Sequence, residues 1–293
     1  MQTIRYVGCE ICGSDDAETL YEKRMVPHAA GRIVTCKKCG LVYVNPRERA
    51  GQWFDVPEVL DSFTDLIEAR YPVYHHRIRQ IERHKKGGRL LEIGCYVGAF
   101  LNMAKQNGWT CYGIEPSFVI SDYAMKTYGI NVFPGFLAES DFQSNFFDVV
   151  AMFHVLEHLP SPRKELREIH RILKPDGLLV IEVPNIEHPL HRLIKRPQWL
   201  FVPGHFYYFA PQTLGKLLNA EEFEVIGIEP TYKMIGIRHF GQILRKLGRH
   251  MGKIGNMLMD SGKTTGFSIK IRTNLNILVM AKPVKNRHHS ASV

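Results

Sequence analysis

The sequence lacks any uninterrupted apolar run of 18 or more residues, the length a membrane-spanning helix needs, so a polytopic membrane protein is excluded. Its N-terminus, MQTIRYVGCEIC, lacks the apolar core of a secretory signal, and the expected compartment is the cytoplasm. Disulfides are rare there, so the six cysteines call for another explanation. There is no internal repeat and no low-complexity tract, which excludes a solenoid. Acid is scarce in one place only. From Thr231 to Val293 there are twelve Lys/Arg and a single acid, Asp260. The net charge of +9 therefore belongs to the last fifth of the chain, and the body before it is nearly neutral. With 45% hydrophobic and 23% charged residues, what is present is an ordinary globular chain, long enough for two domains.

Four of the cysteines form two pairs, Cys9/Cys12 in CEIC and Cys36/Cys39 in CKKC. Two C-x2-C units in one short stretch form a tetrahedral zinc pattern, because a tight turn lets both thiolates of a pair face one ion. Gly13 and Gly40 follow the pairs and tolerate the positive φ of such turns. ETLYEKRMV and RIVTC between them read as short strands, so residues 1–45 are expected to form a zinc-ribbon-like domain with a structural ion. Cys95 and Cys111 lie in apolar runs and read as buried thiols. Residues 46–88 read as a helical connector, with a helix from Tyr71 to Lys86, Pro72 in its first turn and Gly87-Gly88 at its end.

From Arg89 short apolar strands alternate with helices. RLLEI, TCYGI, INVF, FDVVAMF and LLVIEV are the strands. Helices are expected over Ala99–Gln106, Val119–Thr127 and Pro162–Leu173, the last with Ser161 as N-cap. That alternation predicts an α/β fold whose parallel sheet is covered on both faces, with ligands at the carboxyl ends of its strands. FEVIGIE and LNILVMAK add an antiparallel pair, for seven strands in all. After the first strand comes Glu92-Ile-Gly94-Cys95-Tyr96-Val-Gly98, and Glu115 follows the second. Glycines at a strand-to-helix turn admit a ligand to free backbone N–H groups, and Glu115 is placed to take both hydroxyls of a ribose. A dinucleotide fingerprint would have G-x-G-x-x-G. The acid two residues before Gly94 suits a cationic ligand instead, which points to S-adenosylmethionine (SAM).

LLEIGCYVGAFL, YGIEPS, FFDVVAMFHVLEHLPSP, RILKPDGLLVIEVPN and GHFYYFAPQTLGKLL resemble, in order, the motifs of class I SAM-dependent methyltransferases. The nearest subgroup carries an N-terminal zinc domain ending in C-x-x-CGLVYVNP and includes bacterial sugar C-methyltransferases and enzymes of polysaccharide clusters. The resemblance implies a Rossmann-like methyltransferase sheet over 89–282. It also implies that Glu92, Gly94, Cys95 and Gly98 hold the methionyl end and Glu115 the ribose. On the same ground Pro116 and Leu137 lie near the adenine, and Phe153 and His154 border the site. Two features differ: Tyr96 stands where a glycine is frequent, and Gly204-His205 replaces the Glu-His of the sugar C-methyltransferases.

A sulfonium is already electrophilic, so the protein must align a nucleophile and remove its proton. His154, His158 and His205 are the candidates, the first two on one face if HVLEH is helical. HVLEH has the wrong order for a zincin H-E-x-x-H and no third ligand beside it, so no metal is assigned there. The expected function is methyl transfer to a small-molecule, sugar or glycan acceptor, with O-methylation favoured. The alternatives are an RNA methyltransferase and a non-catalytic SAM-binding scaffold. An insert at about 233–265 carries a basic amphipathic helix over 238–259, either a lid or a contact with an anionic membrane at the inner face. Residues 283–293 are expected to be a disordered tail.

Overall fold

The computed structural model describes residues 5–22, 31–47, 67–189, 201–202, 204–229, 231–236, 268–273 and 275–284. The amphipathic helix expected over 238–259 lies outside the described residues, as does nearly all of the terminal tail. No helix among the described residues is long and apolar enough to cross a membrane.

Seven strands form the main sheet: β4 (Gly88–Ile93), β5 (Trp109–Ile114), β6 (Asn131–Phe133), β7 (Phe147–Phe153), β8 (Leu173–Pro184), β10 (Phe223–Glu229) and β13 (Asn276–Pro283), in the order β10-β13-β8-β7-β4-β5-β6. Pairing is parallel from β8 to β6, and β13 is antiparallel to both β8 and β10. The α/β sheet expected from the alternating pattern is borne out. Its central strands are apolar on both faces because helices cover both: α2 (Ala99–Gln106) buries Phe100, Leu101, Met103 and Ala104, and α4 (Pro162–Ile172) buries Leu166, Ile169 and Ile172. α3 (Phe118–Tyr128) starts at Ser117, whose hydroxyl accepts from the Ile120 N–H.

Several local expectations are corrected. Helix α1 runs Ile67–Glu82, so Pro72 is inside it rather than in its first turn. KPDG is not a turn before β8 but a bulge within it: from Phe147 to Val149 on β7, the partner on β8 advances from Leu173 to Leu178. Ser161 precedes α4 but makes no cap bond, and its hydroxyl donates to Glu10 Oε2 at 3.2 Å. The insert opens and closes with an antiparallel ribbon, β11 (Tyr232–Gly236) with β12 (Ser268–Arg272).

The N-terminal segment forms β1 (Ala17–Tyr21), β2 (Ile33–Cys36) and β3 (Val42–Val44). Its sheet is completed by β9 (Tyr207–Tyr208) from the far side of the chain, ahead of α5 (Pro211–Ala220). Buried Cys9, Cys36, Leu41 and Tyr43 share one apolar cluster with Leu91, Val150 and Leu179 of the main sheet. Arg47 stitches the two together, donating to the Tyr207 hydroxyl at 2.8 Å and to the Pro160 carbonyl at 2.6 Å.

Candidate functional site

At the end of β4 the chain turns back on the tip of β5: the Gly94 and Cys95 N–H groups both donate to the Ile114 carbonyl, at 2.8 and 3.0 Å. Gly94 (φ +69) and Gly98 (φ +76) adopt left-handed backbone, and a Cβ on Gly94 would stand 2.6 Å from Val155 Cγ2. Tyr96, at φ +52, takes the same conformation without being glycine. Its N–H donates to Glu115 Oε2 at 3.0 Å, and Ser117 N–H donates to Oε1 at 3.0 Å, so the carboxylate is held at the tip of β5. Gly94→Ala is expected to destabilise the fold by about 1–3 kcal/mol, from the positive φ and from stiff, β-branched Val155. Urea denaturation measures the loss.

Glu92 is buried and its Oε2 has no hydrogen-bond partner. Burial pushes its carboxyl well above the usual range, with Arg77 opposing. A buried carboxyl with one oxygen unpartnered at a glycine turn fits the ammonium of a bound donor, which would supply the missing partner. Cys95 is buried, its thiol likewise pushed far up by burial. Pro116 is half-buried beside Glu115. Leu137 is buried in a short 3-10 helix, and the Gly135 N–H donates to the Glu115 carbonyl at 3.1 Å, joining this stretch to the tip of β5. The residues expected to hold the donor thus surround one end of the sheet.

Beyond β7, the segment HVLEH is not one helix. His154 is left-handed (φ +60), and only Leu156–His158 form a single 3-10 turn. His154 and His158 therefore do not share a helical face. His154 lies 3.4 Å from Glu157 Oε1 and 3.5 Å from Glu182 Oε1. Burial works against its charge, but the two carboxylates beside it push its pKa up to about 9. His158 instead packs edge-on against His205, ring centroids 4.5 Å apart, and its Nδ1 lies 3.0 Å from the Gly204 carbonyl oxygen. Burial and neighbouring His158 push His205 down to about 4.

Sequence reasoning missed the group behind His154. Arg77 on α1 reaches Glu182 on β8 with Nε and Nη2, each 2.8 Å from Oε2, and its guanidinium lies 3.9 Å over the Phe153 ring. Asn276 Nδ2 donates to Glu182 Oε1 at 2.7 Å. Burial would raise the Glu182 carboxyl, but Arg77, His154 and Asn276 hold it well below the usual range. The available signal was one carboxylate inside LLVIEV, a strand otherwise apolar.

In the N-terminal segment one sulfur from each of Cys9, Cys12, Cys36 and Cys39 lies within 4.8 Å of the others, with Cys9–Cys39 at 3.3 Å and Cys12–Cys36 at 3.6 Å. No disulfide links them. Gly13 N–H donates to the Cys9 carbonyl at 2.8 Å and Gly40 N–H to that of Cys36 at 2.9 Å, so both pairs form the same tight turn. Four thiols on two such turns fit a tetrahedral ion, for which Zn–S bonds of about 2.3 Å put sulfurs about 3.8 Å apart.

Residues 66–228 match the family Methyltransf_23, a methyltransferase domain. The chain is 23% identical to the C-methyltransferase NovU of Streptomyces niveus over 75% of its length and 56% of that protein. It is 30% identical to a tRNA U34 carboxymethyltransferase of Syntrophotalea carbinolica over 48% of its length and 46% of that protein. The chain thus spans about half the length of these curated relatives. In fold it is similar to SAM-dependent methyltransferases from Thermotoga maritima (TM-score 0.52, 18% identity, 76% of this chain and 95% of that one) and Archaeoglobus fulgidus (TM-score 0.51, 23% identity, 73% and 94%).

Proposed function

We propose, from the premise that this chain belongs to the Methyltransf_23 methyltransferase-domain family and is a class I SAM-dependent methyltransferase, that it methylates a hydroxyl of a small-molecule, sugar or glycan acceptor. The observation that carries this reading is the grouping of Glu157, His158 and His205 just past Val155, which touches the donor turn at Gly94. Imidazoles and a carboxylate there can position an acceptor hydroxyl and promote loss of its proton. Phe206, Tyr207 and Tyr208 beside them are buried and pack the segment that carries His205.

In the same reading Glu92, Gly94, Cys95 and Gly98 hold the methionyl end of SAM and Glu115 its ribose, with Pro116 and Leu137 beside the adenine and Phe153 and His154 at the border. When bound, SAM supplies the methyl group on its sulfonium. Glu92 gives the ammonium an anionic partner, and the left-handed turn brings backbone N–H groups to the donor. Cys9, Cys12, Cys36 and Cys39 hold a structural zinc ion, which four protein ligands leave without an open position.

Glu115→Ala tests the donor site by calorimetry with SAM. Two charge-assisted hydrogen bonds to a ribose are worth about 3 kcal/mol together, so affinity is expected to fall about a hundred-fold. Unchanged affinity would remove Glu115 from the site. Acceptor class is read by SAM-dependent methyl transfer to a panel of glycan precursors and sugar hydroxyls. Transfer confined to amines or to RNA would overturn the hydroxyl reading.

A further inference from the structure

We propose that Glu157, His158 and His205 bind a divalent transition-metal ion, and that this ion receives an acceptor carrying two adjacent oxygen donors, one of them the hydroxyl to be methylated. The second half rests on the methyltransferase reading above; the first does not. One ligand atom from each of the three residues lies within 4.8 Å of the other two. In the sequence HVLEH has no third ligand beside it; in the fold His205, from a distant stretch of chain, takes that place.

Glu157 carries the argument. It is 1% exposed, and neither carboxylate oxygen has a hydrogen-bond partner. A buried carboxylate is costly unless its charge is met, and here it is met only in part. The nearest cationic group, His154 Nδ1, is 3.4 Å from Oε1, and the same ring also faces Glu182. His158 supplies the second, independent observation. Its Nδ1 faces the Gly204 carbonyl at 3.0 Å, and a carbonyl only accepts, so Nδ1 donates and in the neutral ring the lone pair is on Nε2. A backbone carbonyl fixing one ring nitrogen so that the other can ligate is how metal-binding histidines are held. His205 is fixed by its neighbour: the Phe206 N–H donates to the Glu157 carbonyl at 2.8 Å, tying the two ligand-bearing segments together.

Two imidazoles and one carboxylate form a mixed nitrogen–oxygen set that suits zinc, iron, cobalt or manganese and leaves coordination positions open. Oxygens of a vicinal diol or a hydroxy-carbonyl can fill two of them. A hydroxyl on the ion becomes more acidic and loses its proton to solvent. Its oxygen then bonds to the methyl carbon as the carbon–sulfur bond breaks, and the sulfur keeps that electron pair as the thioether.

The test titrates Co2+ alone into the full-length, zinc-loaded protein and follows its visible absorption, with SAM affinity measured on the same sample. One cobalt per chain is expected, without the sulfur-to-cobalt charge-transfer band that exchange at the four cysteines would produce. His205→Ala and the isosteric Glu157→Gln are each expected to weaken cobalt at least ten- to hundred-fold. Circular dichroism verifies that each variant is folded. No cobalt binding by the unmodified protein up to about 1 mM free ion, or binding unchanged in folded variants, overturns the site. If SAM binds while cobalt does not, the cation site falls and the methyltransferase reading stands.

Discussion

Arg77→Ala is expected to cost the fold about 3–5 kcal/mol, because it leaves a carboxylate buried without its main partner. The Arg77 and Glu182 side chains are 10% and 6% exposed, and the guanidinium meets Oε2 through two nitrogens. Asn276 and His154 remain, but a neutral amide and an imidazole that also faces Glu157 replace little of that charge. Packing goes too, since the guanidinium covers the Phe153 ring. For a domain of this size the midpoint of thermal unfolding falls by about 10 °C. Arg77→Lys keeps the charge without the two-pronged geometry and is expected to lie between. The pH dependence has a definite sign. Glu182 is held below its ordinary value of 4.5, so its contribution is present above that pH and is lost progressively as the pH falls below it. The stability gap between the unmodified protein and Arg77→Ala should therefore narrow on acidification below about pH 4.5. A loss under about 1 kcal/mol at neutral pH, by urea denaturation, would mean that Glu182 is compensated without Arg77.

That pair also marks the limit of what the sequence discloses. Strand and helix positions from Arg89 onward follow from local periodicity, and β4, α2 and β7 fall where the pattern puts them. Glu92, Gly94 and Glu115 are legible for the same reason: a strand end and the turn after it are local. Both C-x2-C turns are local as well. What escaped is long-range or depends on backbone handedness. His154 at φ +60 breaks the i, i+4 relation on which the reading of HVLEH depended. Arg77 and Glu182 are 105 positions apart, and neither residue's neighbours hint at the other. The pairing of β3 with β9 joins Tyr43 to Tyr207, and a two-residue strand such as β9 has no pattern of its own.

That last pairing gives the cysteine cluster its expected reach, which Cys39→Ser tests. Structural zinc contributes several kcal/mol of folding free energy, and a lost thiolate removes most of it. Zinc content, by mass spectrometry of the metal, is expected to fall from one ion per chain to near zero. Local unfolding should not stop at the turn. Lys216 Nζ donates to the Cys39 carbonyl at 3.0 Å, β3 pairs with β9 through Val42 with Tyr208 and Tyr43 with Tyr207, and the Val44 N–H donates to the Phe206 carbonyl at 2.9 Å. Phe206 in turn donates to the Glu157 carbonyl. From β3 onward each step is a backbone contact, so loosening β3 releases the segment that carries His205. Hydrogen exchange is expected to accelerate over 31–47 and 204–209 together, and methyl transfer to be lost. SAM affinity should change less than about three-fold, since Glu92 and Glu115 are anchored on β4 and β5. Exchange confined to 31–47 would show that the two sheets part cleanly and that His205 is positioned without the cysteines. A full complement of zinc in Cys39→Ser would mean that this thiol is not a ligand.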